Sequence, residues 1–169
     1  MEAAQKGYTQ VLWLFGEDNE LTEVGTMNFF AFIKNKDGER ELVTPPLDGT
    51  ILSILDLARS WGEFRVSERK FKMKELQECV AEDRVIEMFG AGTAAVVSPI
   101  KTIHFAGTDY DIPLGEERNA DAGPLTKRMW DTITGIQVSQ QRGGIPSPLS
   151  FTPCCCCVTV WPHSFRMEC

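Results

Sequence analysis

A chain of 169 residues with 43% hydrophobic content is long enough for one globular domain with a real core, since burial at this size takes roughly two-thirds of the unfolded surface. Seventeen basic against twenty-four acidic residues leave a net charge of −7 with no basic stripe, which argues against nucleic acid as a partner. No apolar run approaches the roughly 20 residues that span a bilayer, and Met1 to Gly7 lack the apolar stretch of a signal peptide; the chain therefore reads as intracellular, with no membrane partner.

In chain order, Val11-Leu12-Trp13-Leu14 ends at Gly16-Glu17-Asp18-Asn19 and reads as a buried strand stopped by turn chemistry. Met27 to Ile33, then Asn35-Lys36-Asp37-Gly38, then Leu42-Val43-Thr44 predict a hairpin. Pro45-Pro46 ends it, because proline cannot donate to a ladder. From Ile51 the apolar spacing turns helical through Trp61, with Gly62 at the cap position, and Met73, Leu76 and Val80 mark a second, shorter amphipathic helix.

Val85 to Met88 reads as a strand running into Phe89-Gly90-Ala91-Gly92-Thr93-Ala94, with extended structure resuming at Ala95-Val96-Val97. Ile103-His104-Phe105 and Tyr110-Asp111-Ile112 flank Gly107-Thr108-Asp109 as a small hairpin, and Leu125, Met129, Ile133 and Ile136 define a helix with Pro124 near its start. Strands and helices mixed in this order, with hairpins, predict an α+β domain. After Gln137 come Gly143-Gly144, four prolines and the run Cys154 to Cys157, so residues 138–169 read as a disordered tail and 1–137 as the domain. Five of the six cysteines fall in the last sixteen residues. No disulfide framework is expected, and a reducing compartment fits best.

Chemistry concentrates in Glu23-Val24-Gly25-Thr26-Met27-Asn28-Phe29-Phe30, followed after a spacer by Leu42-Val43-Thr44-Pro45-Pro46-Leu47-Asp48-Gly49. Alone, a glutamate at a strand edge is most often solvated, and a Gly-x-Gly-Thr turn is most often only a turn. In this order the motifs resemble the signature of the class IV pyridoxal-phosphate aminotransferases, and Thr-Met-Asn with Thr-Pro-Pro-Leu-Asp-Gly resembles the branched-chain branch. Trp61-Gly62-Glu63 and Met88 to Ala94 add to the likeness, which covers about residues 8 to 137.

The resemblance implies the large cofactor domain of the fold-type IV enzymes, a mixed sheet or pseudo-barrel with packed helices. It implies Glu23 at the pyridine nitrogen of pyridoxal 5'-phosphate, where a carboxylate keeps the ring an electron sink. Gly92 and Thr93 would meet the phosphate through a backbone nest and a hydroxyl, and Thr26 and Ala94 would meet the substrate carboxylate. Implied substrates are leucine, isoleucine or valine with 2-oxoglutarate, and the full-length relative would be a homodimer, cytoplasmic or mitochondrial. A D-amino-acid transaminase or an amino-deoxychorismate lyase of the same fold is the alternative, against which the branched-chain motifs count.

Three departures from the family pattern bear on activity. The Schiff-base lysine lies upstream of the Val-Leu-Trp-Leu strand in the family, so no catalytic residue is assigned here and an arginine for the phosphate is missing with it. Lys34 and Lys36 sit at a turn and Lys70, Lys72 and Lys74 alternate in a charged connection, which reads as a solvated face. Between Leu52 and Ser53 similar enzymes carry a Pro-Gly-Val-Thr-Arg-type stretch that offers amides to the phosphate. The third departure is the unrelated sequence after Gln137.

Cofactor binding is therefore expected to be weak and the chain inactive by itself, with association with a complete subunit as the further possibility. Adjacent cysteines do not make a zinc site, so no metal is expected. Ala95 and Ser98 stand where some members have a redox Cys-x-x-Cys, so no thiol switch is expected either. From the sequence, no partner that would make either a general base is expected for His104 or His163.

Overall fold

The computed structural model describes residues 8–46, 52–92, 97–115, 121–140 and 156–162. Its strands are β1 (Gln10–Phe15), β2 (Glu20–Val24), β3 (Met27–Lys34), β4 (Arg40–Thr44), β5 (Arg65–Glu68), β6 (Val85–Ala91), β7 (Val97–Phe105), β8 (Thr108–Asp111) and β9 (Cys156–Pro162). The helices are α1 (Leu52–Trp61), α2 (Met73–Ala81) and α3 (Pro124–Gln140).

The phenylalanine-rich run of β3 makes sense because both of its faces are buried. Side chains alternate along a strand, and Phe29, Ala31 and Ile33 join one apolar cluster while Phe30 and Phe32 join another. The first cluster takes residues from β1, β2, β3, β6 and β7 and is filled by Phe71, Met73, Leu76 and Cys79 from α2 and the residues before it. The second lies on the opposite face under α1 and α3, through Ile54, Leu55, Ala58, Leu125 and Met129.

One sheet contains all nine strands, in the order β2-β1-β9-β7-β6-β3-β4-β5 with β8 on β7. Pairing of β2 with β3 at Glu23↔Asn28 and Val24↔Met27 joins the path back on itself. Six strands thus form a ring, and the first cluster fills its inside. Closure of this kind removes free strand edges, and the result is the α+β pseudo-barrel with packed helices that the sequence implied.

Local chemistry sets the turns. Asn35 Oδ1 accepts the N–H groups of Asp37 and Glu39 at 3.0 and 2.9 Å, and Gly38 takes φ +82°, which fixes the β3–β4 hairpin. Ala106 and Gly107, at φ +51° and +81°, turn β7 into β8, as two left-handed residues do in a tight hairpin. Thr44 is fully buried and donates its hydroxyl to the Phe29 carbonyl at 2.8 Å, so the threonine of the Leu-x-Thr motif ties β4 to β3.

Described structure continues past the boundary expected at Gln137. The helix α3 runs on to Gln140, and Cys156–Pro162 is a strand of the ring, parallel to both β1 and β7. The run Val158-Thr159-Val160-Trp161 is β-branched and aromatic, which suits a strand; the neighbouring cysteines and prolines masked that pattern. The short strands β2 and β5 were also not anticipated. Thr93 and Ala94, with Leu47-Asp48-Gly49, Cys154, Cys155 and His163, lie outside the described residues.

Candidate functional site

A two-residue turn, Gly25-Thr26, links β2 to β3 and carries the first group of candidate residues. Gly25 has φ +61°, a conformation that costs an L side chain about 1 kcal/mol or more. Both of its backbone groups are bonded to β1. Its N–H donates to the Val11 carbonyl at 2.7 Å, and its carbonyl accepts the Trp13 indole N–H at 3.0 Å. Thr22 adds a hydroxyl bond to the Trp13 carbonyl at 3.0 Å.

Held on that frame, the Glu23 and Thr26 side chains are exposed, between the buried Leu21, Val24 and Met27. The Glu23 carboxylate forms no hydrogen bond or ion pair among the described residues. Register carries the site sideways: Glu23 stands opposite Asn28, and Asn28 opposite Ala91. Adjacent strands lie about 4.8 Å apart, so Glu23 and the end of β6 are about two strand spacings from each other.

Gly92, next after Ala91, packs against the same turn. A Cβ at this position would stand 3.3 Å from Met27 Cγ and 4.0 Å from the Thr26 carbonyl oxygen, so the missing side chain permits a close approach of two backbones. The structure therefore brings Glu23, Thr26 and Gly92 together at one end of the sheet. Thr93 and Ala94 follow Gly92 directly in the chain but are not among the described residues.

Other residues of the sequence motifs prove to be scaffold. The Arg128 guanidinium lies 3.9 Å from the centre of the Trp61 ring and gives 2.9 Å hydrogen bonds to both oxygens of Glu63. Trp61-Gly62-Glu63 thus clamps α3 to the end of α1, with Gly62 at φ +63° making the turn. Sequence reasoning missed a second clamp. Glu87 on β6 is 1% exposed and accepts the Leu125 and Thr126 N–H groups at 2.8 and 3.0 Å and the Thr126 hydroxyl at 2.6 Å. A carboxylate there satisfies the orphan donors of the first turn of α3 and meets the positive end of its dipole.

Among the described lysines, Lys34, Lys70 and Lys72 lie away from the Gly25-Thr26 turn. Lys70 pairs with Glu20 at 2.8 Å and Lys72 with Asp18 at 2.6 Å. The hydrogen bond and charge of Lys72 hold the Asp18 carboxyl below its usual range, and the Asp18 hydrogen bond raises Lys72 above its own. Lys34 ends β3 at the far end from Met27. A cleft of about 480 Å³ lies near that far end, lined by Ile33, Asn35, Arg69, Glu75 and Arg84 among others. Its charges pair internally, Arg69 with Glu75 at 2.7 Å, and the Glu75 hydrogen bonds raise the Arg69 pKa. The cleft is separate from the Glu23 site.

The amino-transferase class IV family model matches residues 1–103. The chain belongs to the class IV aminotransferases. Among curated relatives of this class IV chain, the branched-chain-amino-acid aminotransferase of Monosiga brevicollis is 55% identical over 142 residues, covering 80% of the chain and 36% of that protein. The enzyme of the same name from Dictyostelium discoideum is 52% identical over 147 residues, covering 83% and 38%. Among solved structures, the Escherichia coli branched-chain amino acid aminotransferase superposes with a TM-score of 0.58 at 29% identity, covering 80% of the chain and 39% of that structure. The chain spans a little over a third of the length of these relatives.

Proposed function

We propose that this class IV chain carries the cofactor-facing half of a branched-chain amino-acid aminotransferase. The observation that supports this most is the open Glu23 carboxylate, next to a turn whose Gly25 N–H and carbonyl are both bonded to β1 and about two strand spacings from the side-chain-free Gly92. Identity of 46 to 56% with several proteins named for that activity supports the same reading.

The residues present fit pyridoxal phosphate. Glu23 would face the pyridine nitrogen and keep its proton in place; Gly92 leaves the room that a Cβ would fill, and Thr93, the next residue in the chain, would give its hydroxyl and amide to the phosphate. Thr26 and the Ala94 amide would hold the substrate carboxylate. When bound, pyridoxal phosphate supplies the electron sink that makes the proton on the substrate α carbon removable. Removal of that proton needs a base, and Lys34, Lys70 and Lys72 lie elsewhere.

By itself, then, the 169-residue chain binds the cofactor without a covalent link and does not turn over. In a complete subunit the same residues would act on leucine, isoleucine or valine and a 2-oxo acid, in a homodimer. The compartment would be cytosolic or mitochondrial, as in relatives of both names. No described helix is long and apolar enough to cross a membrane.

The test is an assay of the purified chain for leucine and 2-oxoglutarate transamination, with borohydride reduction after loading with pyridoxal phosphate. No turnover and no labelled lysine are expected. Turnover of about 1 to 10³ per second, or stoichiometric label on one lysine, would overturn the reading of the chain as non-catalytic and name the residue that acts.

A further inference from the structure

The indole of Trp13 has a geometric consequence that reaches the candidate site. Its N–H is hydrogen-bonded to the Gly25 carbonyl at 3.0 Å. That carbonyl and the Thr26 N–H belong to one peptide unit, and the described backbone contains no cis peptide bond. A trans planar peptide directs its C=O and N–H to opposite sides. Fixing the carbonyl toward β1 therefore fixes the Thr26 N–H in the opposite direction, away from Trp13.

Thr26 is exposed, and its N–H has no backbone acceptor among the described residues. Free backbone N–H groups in turns are donors for anions. We propose that Trp13 is a positioning residue, whose indole locks the Gly25-Thr26 peptide so that the Thr26 N–H and hydroxyl together face a ligand carboxylate. This rests on the aminotransferase reading for the identity of the ligand, a branched aliphatic carboxylate, but the locked peptide stands on the geometry alone.

Two features set Trp13 apart from an ordinary framework residue. Its bond is made to the flanking peptide of the turn and not within a strand ladder, so removing it frees that peptide without breaking a strand pair. The neighbouring Thr22 bond, which ends on the Trp13 carbonyl, ties β2 to β1 without touching the Gly25-Thr26 peptide. Thr22 supplies the control.

The experiment follows the Thr26 amide of the full chain by proton–nitrogen correlation spectra during titration with isovalerate, and separately with pyridoxal phosphate. In the unaltered chain the Trp13 indole proton should be protected from solvent exchange and the Thr26 amide should shift with isovalerate. Trp13→Phe, which keeps an aromatic ring and removes the donor, should weaken the isovalerate response about tenfold, whereas Thr22→Val should leave it unchanged. An unprotected indole, no Thr26 response in the unaltered chain, or equal weakening by Trp13→Phe and Thr22→Val would each overturn the proposal. Were Trp13→Phe not to fold, the exchange and titration data of the unaltered chain decide alone. Failure of pyridoxal phosphate to bind while the Thr26 response persists would count against the aminotransferase reading and leave the role of Trp13 intact.

Discussion

Two polar regions, the Gly25-Thr26 turn and the start of α3, use hydrogen bonds in opposite ways. At α3 the bonding capacity of a buried side chain is spent on the fold: Glu87 accepts three bonds from Leu125 and Thr126 and has no exposure left for a ligand. At the turn the Gly25 backbone is bonded, through Val11 and Trp13, and the Glu23 and Thr26 side chains remain open. A satisfied carboxylate in the interior is a structural device, and an open one on a rigid frame is suited to a ligand. The two glutamates should therefore separate cleanly under mutation.

The largest effect is expected at Glu87. Glu87→Ala leaves the Leu125 and Thr126 donors without an acceptor in a buried setting and should cost about 3 kcal/mol, read as a lowered urea midpoint. Gly123→Ala should also destabilise strongly, because a Cβ there would run into the Glu87 carboxylate. Glu23→Gln, on the open side of the comparison, should change stability by less than about 0.5 kcal/mol. If Glu23→Gln proved as destabilising as Glu87→Ala, the distinction between the two regions would fail.

A smaller effect is expected at Thr44, whose hydroxyl bond to Phe29 is buried. Thr44→Val keeps the shape and should cost about 1 kcal/mol, with no change in cofactor affinity; a loss of affinity would move Thr44 from the scaffold to the site. Cys79 provides a check without mutation. It is fully buried in the ring's core, and burial pushes its thiol up from the usual range, so it should resist alkylation at pH 8 until the chain unfolds.

The least effect belongs to the exposed Asp18–Lys72 pair. Because the folded Asp18 pKa is lowered, its contribution is present above the unfolded value of about 3.9 and is lost as pH falls through the folded one. Because the folded Lys72 pKa is raised, its contribution is present below the unfolded value of about 10.4 and is lost as pH rises through the folded one. Between those limits stability should not vary through this pair, and 1 M salt should erase the effect at both ends. A pH dependence near neutrality would need another group.

The same comparison explains what was legible in the sequence. The β3–β4 and β7–β8 hairpins were visible because their turn chemistry is local, in Asn35 to Gly38 and around Gly107. The convergence of Glu23, Thr26 and Gly92 was implied by ordered motifs and follows from a register that sets Asn28 between Glu23 and Ala91. The Glu87 clamp was not visible, because Glu87 sits in a strand pattern and its partners are 38 and 39 residues away. A usable signal was there: Gly123-Pro124 opens a helix with no acidic residue in its first turn, so a cap had to come from elsewhere. Strand β9 was hidden by composition, since the surrounding cysteines and prolines outweigh the short β-branched and aromatic run Val158 to Trp161.

The most direct measurement of the central claim is a pyridoxal phosphate titration of the full chain beside its Glu23→Gln variant, followed by cofactor absorbance and by the Glu23 and Gly92 amide signals. Charge-assisted hydrogen bonds are worth roughly 1.5 to 3 kcal/mol, so the expected result is weak, saturable, non-covalent binding that falls about tenfold or more in Glu23→Gln, with both proteins equally stable. Equal affinity in the two proteins, or binding that leaves the Glu23 and Gly92 signals unmoved, would contradict it.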